Sequence, residues 1–241
     1  LGDEYGINSP TIATRPFGTF TVPKPVVLAG EGNPISCFNS DGNRLVAAYV
    51  TDSDPTFQDL YVGHCRTDET TNYGRNCDLA ENWKWNYADY LVRATDTYLS
   101  CSIAAQDDST ESTLAVSRIA VVGNTAKGAK TFAYCSDMAT SGCDEPGDYK
   151  RTVLVAAPTS LGQGKVAIFN DTYAVAFNDT SGAKNTHVKL CTGTADCSIA
   201  ANWTALDIDT DFPGYGAQDI GIDIAASKTL AVPDSVATLA H

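Results

Sequence analysis

Apolar positions along this chain come in short runs rich in Val, Ile, Ala, Tyr and Phe, and Gly, Asn, Asp, Ser and Pro cut the runs apart. A run that alternates, or a short unbroken apolar run bounded by turn residues, is the signature of a β-strand. A helix would instead need apolar residues at every third and fourth position. On that rule the sequence predicts strands at 33–38, 44–51, 59–65 and 83–90, with Asn39-Ser40-Asp41-Gly42 as the turn between the first two. A second set follows at 98–105, 113–123, 130–135 and 149–156, and a third at 165–169, 173–177, 186–191 and 203–209. The best helix candidate, 114–122, is β-branched and alternates, which suits a strand better.

The strands recur in groups of four, and a cysteine–aromatic motif marks the period. The segment from Cys77 to Trp83 returns from Cys197 to Trp203, and Cys143 to Tyr149 keeps the same spacing between them. Each motif follows a further cysteine: Cys65, Cys135 and Cys191. Self-similarity at a period of about 50 to 70 residues marks a repeat architecture. Four antiparallel strands repeated as a unit resemble the blades of a β-propeller. The chain is therefore read as all-β, with an extended arm at 1–23 and a propeller over 24–241. About four blades are expected, at 33–90, 97–156, 164–209 and 219–241.

The fourth unit is incomplete. Residues 219–225 and 228–232 read as its first and second strands, and 235–241 begins a third, whose Ala240-His241 echoes Gly63-His64. Residues 24–30 resemble 150–156 and are the candidate for the absent fourth strand. Supplied to the same molecule, that strand closes a ring and removes a sheet edge. Two alternatives stand beside this: the chain is a piece of a longer propeller, or 24–30 completes a neighbouring molecule's sheet.

Eight cysteines, an even number in close pairs, read as disulfides of an oxidising compartment. The local spacings give Cys65–Cys77, Cys135–Cys143 and Cys191–Cys197, each clipping the loop between a third and a fourth strand. Ser36-Cys37 and Ser100-Cys101 fall at the same place in two successive first strands, so Cys37–Cys101 is expected to bridge adjacent units. Zinc knuckles would need tighter and more equal spacing. Three glycosylation sequons, at Asn170, Asn178 and Asn202, agree with a secreted protein, as does a chain that starts at Leu1 without a signal peptide.

The 16 basic residues against 29 acidic ones give a formal charge of -13, a surface that repels phosphate backbones and anionic membranes. No apolar run approaches a membrane span. Partners are then other copies of the chain, extracellular proteins or glycans, with no nucleic acid and no membrane insertion.

The turn Asn39-Ser40-Asp41-Gly42 resembles part of the Asp-box of sialidase-like propellers, where Ser, Asp and Gly hold a hairpin. The Thr-Trp ending of that motif is absent, and the other units do not repeat the turn. The resemblance implies a propeller and a structural role for the turn. The family's catalytic set of three arginines, a Tyr–Glu pair and an acidic Asp is not matched; Ser117-Arg118-Ile119-Ala120 comes nearest to its Arg-Ile-Pro context.

Other chemistry is equally thin. Glycoside hydrolysis needs two carboxylates across one bond, and Asp96, Asp107, Asp108 and Asp223 lie near first-strand ends. His64 and His187 occupy equivalent third-strand positions, which suits packing or display better than a Ser-His-Asp triad. The acidic turns at 52–54 and 207–211 are the candidates for Ca²⁺, without an EF-hand spacing, and no other cofactor or metal is expected. Trp85, Tyr87 and Tyr90 are the candidates for stacking on sugars. Together these readings favour a secreted, non-enzymatic structural or adhesive module of an extracellular, filamentous assembly. A carbohydrate-binding propeller ranks second and a glycoside hydrolase third.

Overall fold

The computed structural model describes residues 36–41, 44–51, 54–66, 83–107, 117–135, 143, 147–157, 159, 162–169, 172–178, 186–192, 194–207, 222–225 and 237–240. Among them are fourteen strands, a single turn of 3-10 helix (Ala200–Asn202) and no α-helix. Sheet I holds β1 (Ser36–Asp41), β2 (Arg44–Val50), β3 (Phe57–Arg66) and β4 (Lys84–Val92). Sheet II holds β5 (Tyr98–Asp107), β6 (Ser117–Thr125), β7 (Lys130–Cys135) and β8 (Lys150–Val155). Sheet III holds β9 (Lys165–Phe169), β10 (Thr172–Asn178), β11 (Thr186–Thr192) and β12 (Thr204–Asp207). Each is an antiparallel meander in chain order, and β13 (Ile222–Ala225) pairs with β14 (Ala237–Ala240).

Strands with two buried faces read as unbroken apolar runs. In β2, Leu45 and Ala47 point one way while Val46, Ala48 and Val50 point the other, and all five are buried. The second set packs on Ile103, Ile119, Val121 and Ala133 of sheet II. The opposite face of sheet II, with Ala120, Val122, Phe132 and Tyr134, packs on Val166, Ile168, Tyr173 and Val175 of sheet III. The far face of sheet III carries Ala167, Ala174, Ala176 and Val188, and β13 lies against β9 and β10. Burying one such Val or Ile contributes about 1.5–3 kcal/mol, so these two-sided cores dominate the fold's stability.

Polar and covalent ties register one sheet on the next. Cys37–Cys101 joins β1 to β5, and the Asn39 amide donates to the Ile103 carbonyl at 2.9 Å. Between sheets II and III, Asn124 accepts from the Gly164 amide at 2.5 Å and donates to the Gly164 carbonyl at 3.2 Å. Cys135–Cys143 and Cys191–Cys197 are also bonded. Cys65 is in a disulfide too, and its expected partner Cys77 lies outside the described residues. These bonds fit folding in an oxidising environment.

Two local expectations need correction. Asp41 pairs with Arg44, so 39–41 continue β1 and the turn is shorter than the sequence suggested. Asn and Ser read as turn residues because their side chains can bond nearby backbone, yet Asn39 spends its amide on sheet II instead. In the last unit, β14 pairs directly with β13, in the place expected for 228–232, which lie outside the described residues. Several apolar runs of similar length follow one another there, and composition does not say which of them pair. Residues 1–23 and 24–30 also lie outside the described residues.

Lys130 opens β7 with only 1 % of its surface exposed, and its ammonium donates to the Gly128 carbonyl at 2.9 Å. Burial pushes its pKa down to about 8, partly offset by Asp96. Below pH 8 both the folded and unfolded chains carry the charge, and the folded one bears the cost of burying it. Between that pH and the ordinary lysine range only the unfolded chain stays protonated, so stability rises with pH across this window. Urea titrations from pH 7 to 10 should show that rise, and Lys130→Met should flatten it and be more stable than the parent at pH 7. Removing the long-range Cys37–Cys101 bond, 64 residues apart in sequence, should cost about 4 kcal/mol. Removing Cys191–Cys197, six residues apart, should cost about 2 kcal/mol in the same assay.

Candidate functional site

The outward face of sheet I is built from aromatic side chains that the strand register lines up in rows. Tyr49 of β2 lies opposite Tyr61 of β3, which lies opposite Tyr87 of β4. The next row is Ala47, Gly63 and Trp85. Gly63 is what lets Trp85 lie flat across β3, since a Cβ there would sit 2.5 Å from the indole. A bulge between Leu60 and Tyr61 shifts the register, so that Tyr90, three residues after Tyr87, faces the same way opposite Asp59.

The rings form one unbroken series. Trp83 stacks on Trp85 with centroids 5.4 Å apart, and Trp85 meets Tyr49 edge-on at 5.0 Å. Tyr49 stacks on Tyr61 at 5.4 Å, and Tyr61 meets Tyr87 at 6.0 Å. Tyr87, Tyr90 and Phe57 continue the series at 6.3 and 5.7 Å. Contacts of this kind between offset or perpendicular rings add about 0.5–1.5 kcal/mol each beyond burial. The series runs from buried Trp83 to Tyr90, which is 36 % exposed, and Phe57, 37 % exposed. At that open end the Arg151 guanidinium of sheet II sits 4.4 Å above the Tyr90 ring.

Charge at the open end is set by burial. The Tyr87 phenol is pushed up to about 12, chiefly by desolvation, with Asp59 adding to the shift. Asp59 itself is raised by burial and by neighbouring Asp54. The bulge turns Asp89, 5 % exposed, inward at the junction of sheets I and II. There its carboxylate accepts from Arg151 Nη1 at 2.9 Å, from the Tyr98 hydroxyl at 2.9 Å and from the Tyr90 amide at 2.8 Å. The same Arg151 thus neutralises a buried carboxylate and lies over an exposed ring.

Of the sugar-stacking candidates, Trp85, Tyr87 and Tyr90 do share one face. Register was what the sequence left open: nothing in it announced that Tyr49, Tyr61 and Phe57 would join them, or that Asp89 and Arg151 would meet. The other candidates scatter. Asp96 caps the Thr97 and Lys127 amides at 2.9 and 3.1 Å, while Asp107 ends β5. A ten-residue strand is about 33 Å long, so these two cannot flank one glycosidic bond. Asp108 and Asp52 lie outside the described residues, Asp223 is in β13, and Asp54 caps the Thr56 and Phe57 amides at 2.6 and 3.1 Å. His64 is buried, and the His187 ring packs 5.4 Å from Phe177. Among the described residues no group of three His, Cys, Asp or Glu could hold a metal ion.

No protein-family model matches the chain, and no curated protein matches it.

Replacing Asp89 with Ala would strip the acceptor from three donors, the buried Tyr98 hydroxyl among them, at a cost of about 1–3 kcal/mol in urea unfolding. Lys150→Ala breaks the solvent-exposed pair with Asp196, whose separation is 3.3 Å, and should cost less than about 1 kcal/mol.

Proposed function

We propose that the chain is a secreted, non-enzymatic adhesive or structural module built as a β-propeller, and that it docks through the aromatic face of sheet I. What carries this reading is the position of that face in the repeat. Sheet II lies on sheet I through the face that bears Cys135, Cys143 and Tyr149. Sheet III lies on sheet II through the face that bears Cys191, Cys197 and Trp203. Cys65, Trp83 and Trp85 occupy the equivalent face of sheet I, with Leu45 and Ala47 beneath them. In a ring of about four sheets the last unit meets the Trp83 end, and the Phe57–Tyr87–Tyr90 end is left for a partner.

The partner in this reading is a second copy of the chain or another extracellular protein. Aromatic rings beside an arginine are the usual centre of such contacts. A second reading, sugar binding, rests on Trp85, Tyr87 and Tyr90 sharing a face with the Asp59 carboxylate beside Tyr87, since sugars stack on rings and bond to acids.

Sedimentation over a wide concentration range should show self-association that Tyr90→Ala and Phe57→Ala weaken at least tenfold, with unchanged circular dichroism. Saturable glycan-array binding that the same variants lose would favour the second reading. A monodisperse monomer that binds no glycan and no extracellular protein would overturn both.

A further inference from the structure

We propose that Asn202 carries an N-linked glycan, which shields apolar surface at the end of sheet III and so leaves the aromatic face of sheet I as the face for partners. Three sequons are present, but they are not equally displayed. Asn170 lies outside the described residues, and Asn178 closes β10 with 9 % of its surface exposed. The backbone carbonyl of Asn178 is taken up by the Gly162 amide at 2.6 Å, which holds residue 162 against it. Asn202 instead ends the 3-10 turn, and Ala200, Ala201 and Asn202 are all exposed.

Local hydrogen bonding fits a substituted amide. Asn202 Nδ2 donates one hydrogen to the Asp196 carbonyl at 2.9 Å. Glycosylation replaces one of the two Nδ2 hydrogens and leaves the amide one hydrogen with which to donate. The middle residue of the sequon does not obstruct: Trp203 folds inward, its Nε1 donating to the Cys197 carbonyl at 2.9 Å and its ring meeting Phe132 at 4.8 Å. Thr204, the third residue, is exposed at the start of β12.

What surrounds Asn202 is a surface that wants a cover. Ile199 is 51 % exposed three residues before Asn202, with Ala200 and Ala201 exposed between them and Ala205 exposed just after the sequon. A branched oligosaccharide over these side chains is a hydrated screen that a small acidic protein can carry without a protein partner. The reaction is a group transfer with no change of oxidation state. Nδ2 attacks C1 of a lipid-linked oligosaccharide pyrophosphate, the C1–N bond forms as the C1–O bond breaks, the lipid pyrophosphate leaves, and Nδ2 gives one proton to the transferase's base.

The test is to secrete the whole chain from cells that carry an oligosaccharyltransferase and to map glycopeptides before and after peptide-N-glycosidase. The parent and Thr204→Ser should carry sugar on Asn202. Asn202→Gln and Thr204→Ala should lose it, and Thr204→Ala settles the matter if the first fails to fold, because it keeps Asn202 and its bond to Asp196. Enzymatic removal of the sugar should also raise the binding of an apolar-surface dye, and Ile199→Ser should reduce that rise. An unmodified Asn202, or a glycan at Asn178 with none at Asn202, would overturn the proposal. Dye binding that does not change on deglycosylation would overturn the shielding.

Discussion

Each four-stranded sheet of this protein is apolar on both faces, and that constraint organises everything else. A strand such as β2 cannot leave either Leu45 and Ala47 or Val46, Ala48 and Val50 in water without losing several kcal/mol. A sheet with two such faces must be covered twice, so sheets follow one another face to face in chain order. The first strands β1, β5, β9 and β13 then come to lie side by side, as their mutual packing records. Polar side chains do not drive this stacking, but they set its register. Asn124 and Gly164 exchange two hydrogen bonds across one junction, and Asp89 gathers three donors at another.

The aromatic face follows from the same constraint and from two small irregularities. Gly63 removes a Cβ so that Trp85 can lie across β3. The bulge beside Leu60 turns Tyr90 outward and Asp89 inward, within two neighbouring residues. One misregistered position therefore makes both a surface ring and a buried anchor for Arg151, which touches both. The rings of the face brace one another in a continuous series of contacts.

Much of the fold was legible in the chain and much of the site was not. Lys130–Cys135 and Lys165–Phe169 are strands at the limits their composition suggested, since short apolar runs between turn residues have few other ways to satisfy their backbones. Even Cys37–Cys101, far apart in sequence, could be read from the repeated Ser-Cys pair. The meeting of Asp89 with Arg151 had no such signal, because 62 residues separate them and no repeat or local spacing links the two. The pairing of β13 with β14 was likewise beyond local pattern, for the reason that several similar runs compete for one neighbour.

By itself, then, the sequence determined what is local and periodic: the all-β class, the grouping of strands in fours, the cysteines that clip them and the positions of the sequons. Alternation and spacing are written in consecutive residues, and backbone geometry translates them directly into strands and turns. Only the tertiary structure decided which rings share a face, which carboxylate is buried against an arginine, and which of Asn178 and Asn202 meets solvent. Those outcomes depend on register and on which sheet covers which, and a shift of one residue, such as the bulge beside Leu60, sends a side chain to the opposite face.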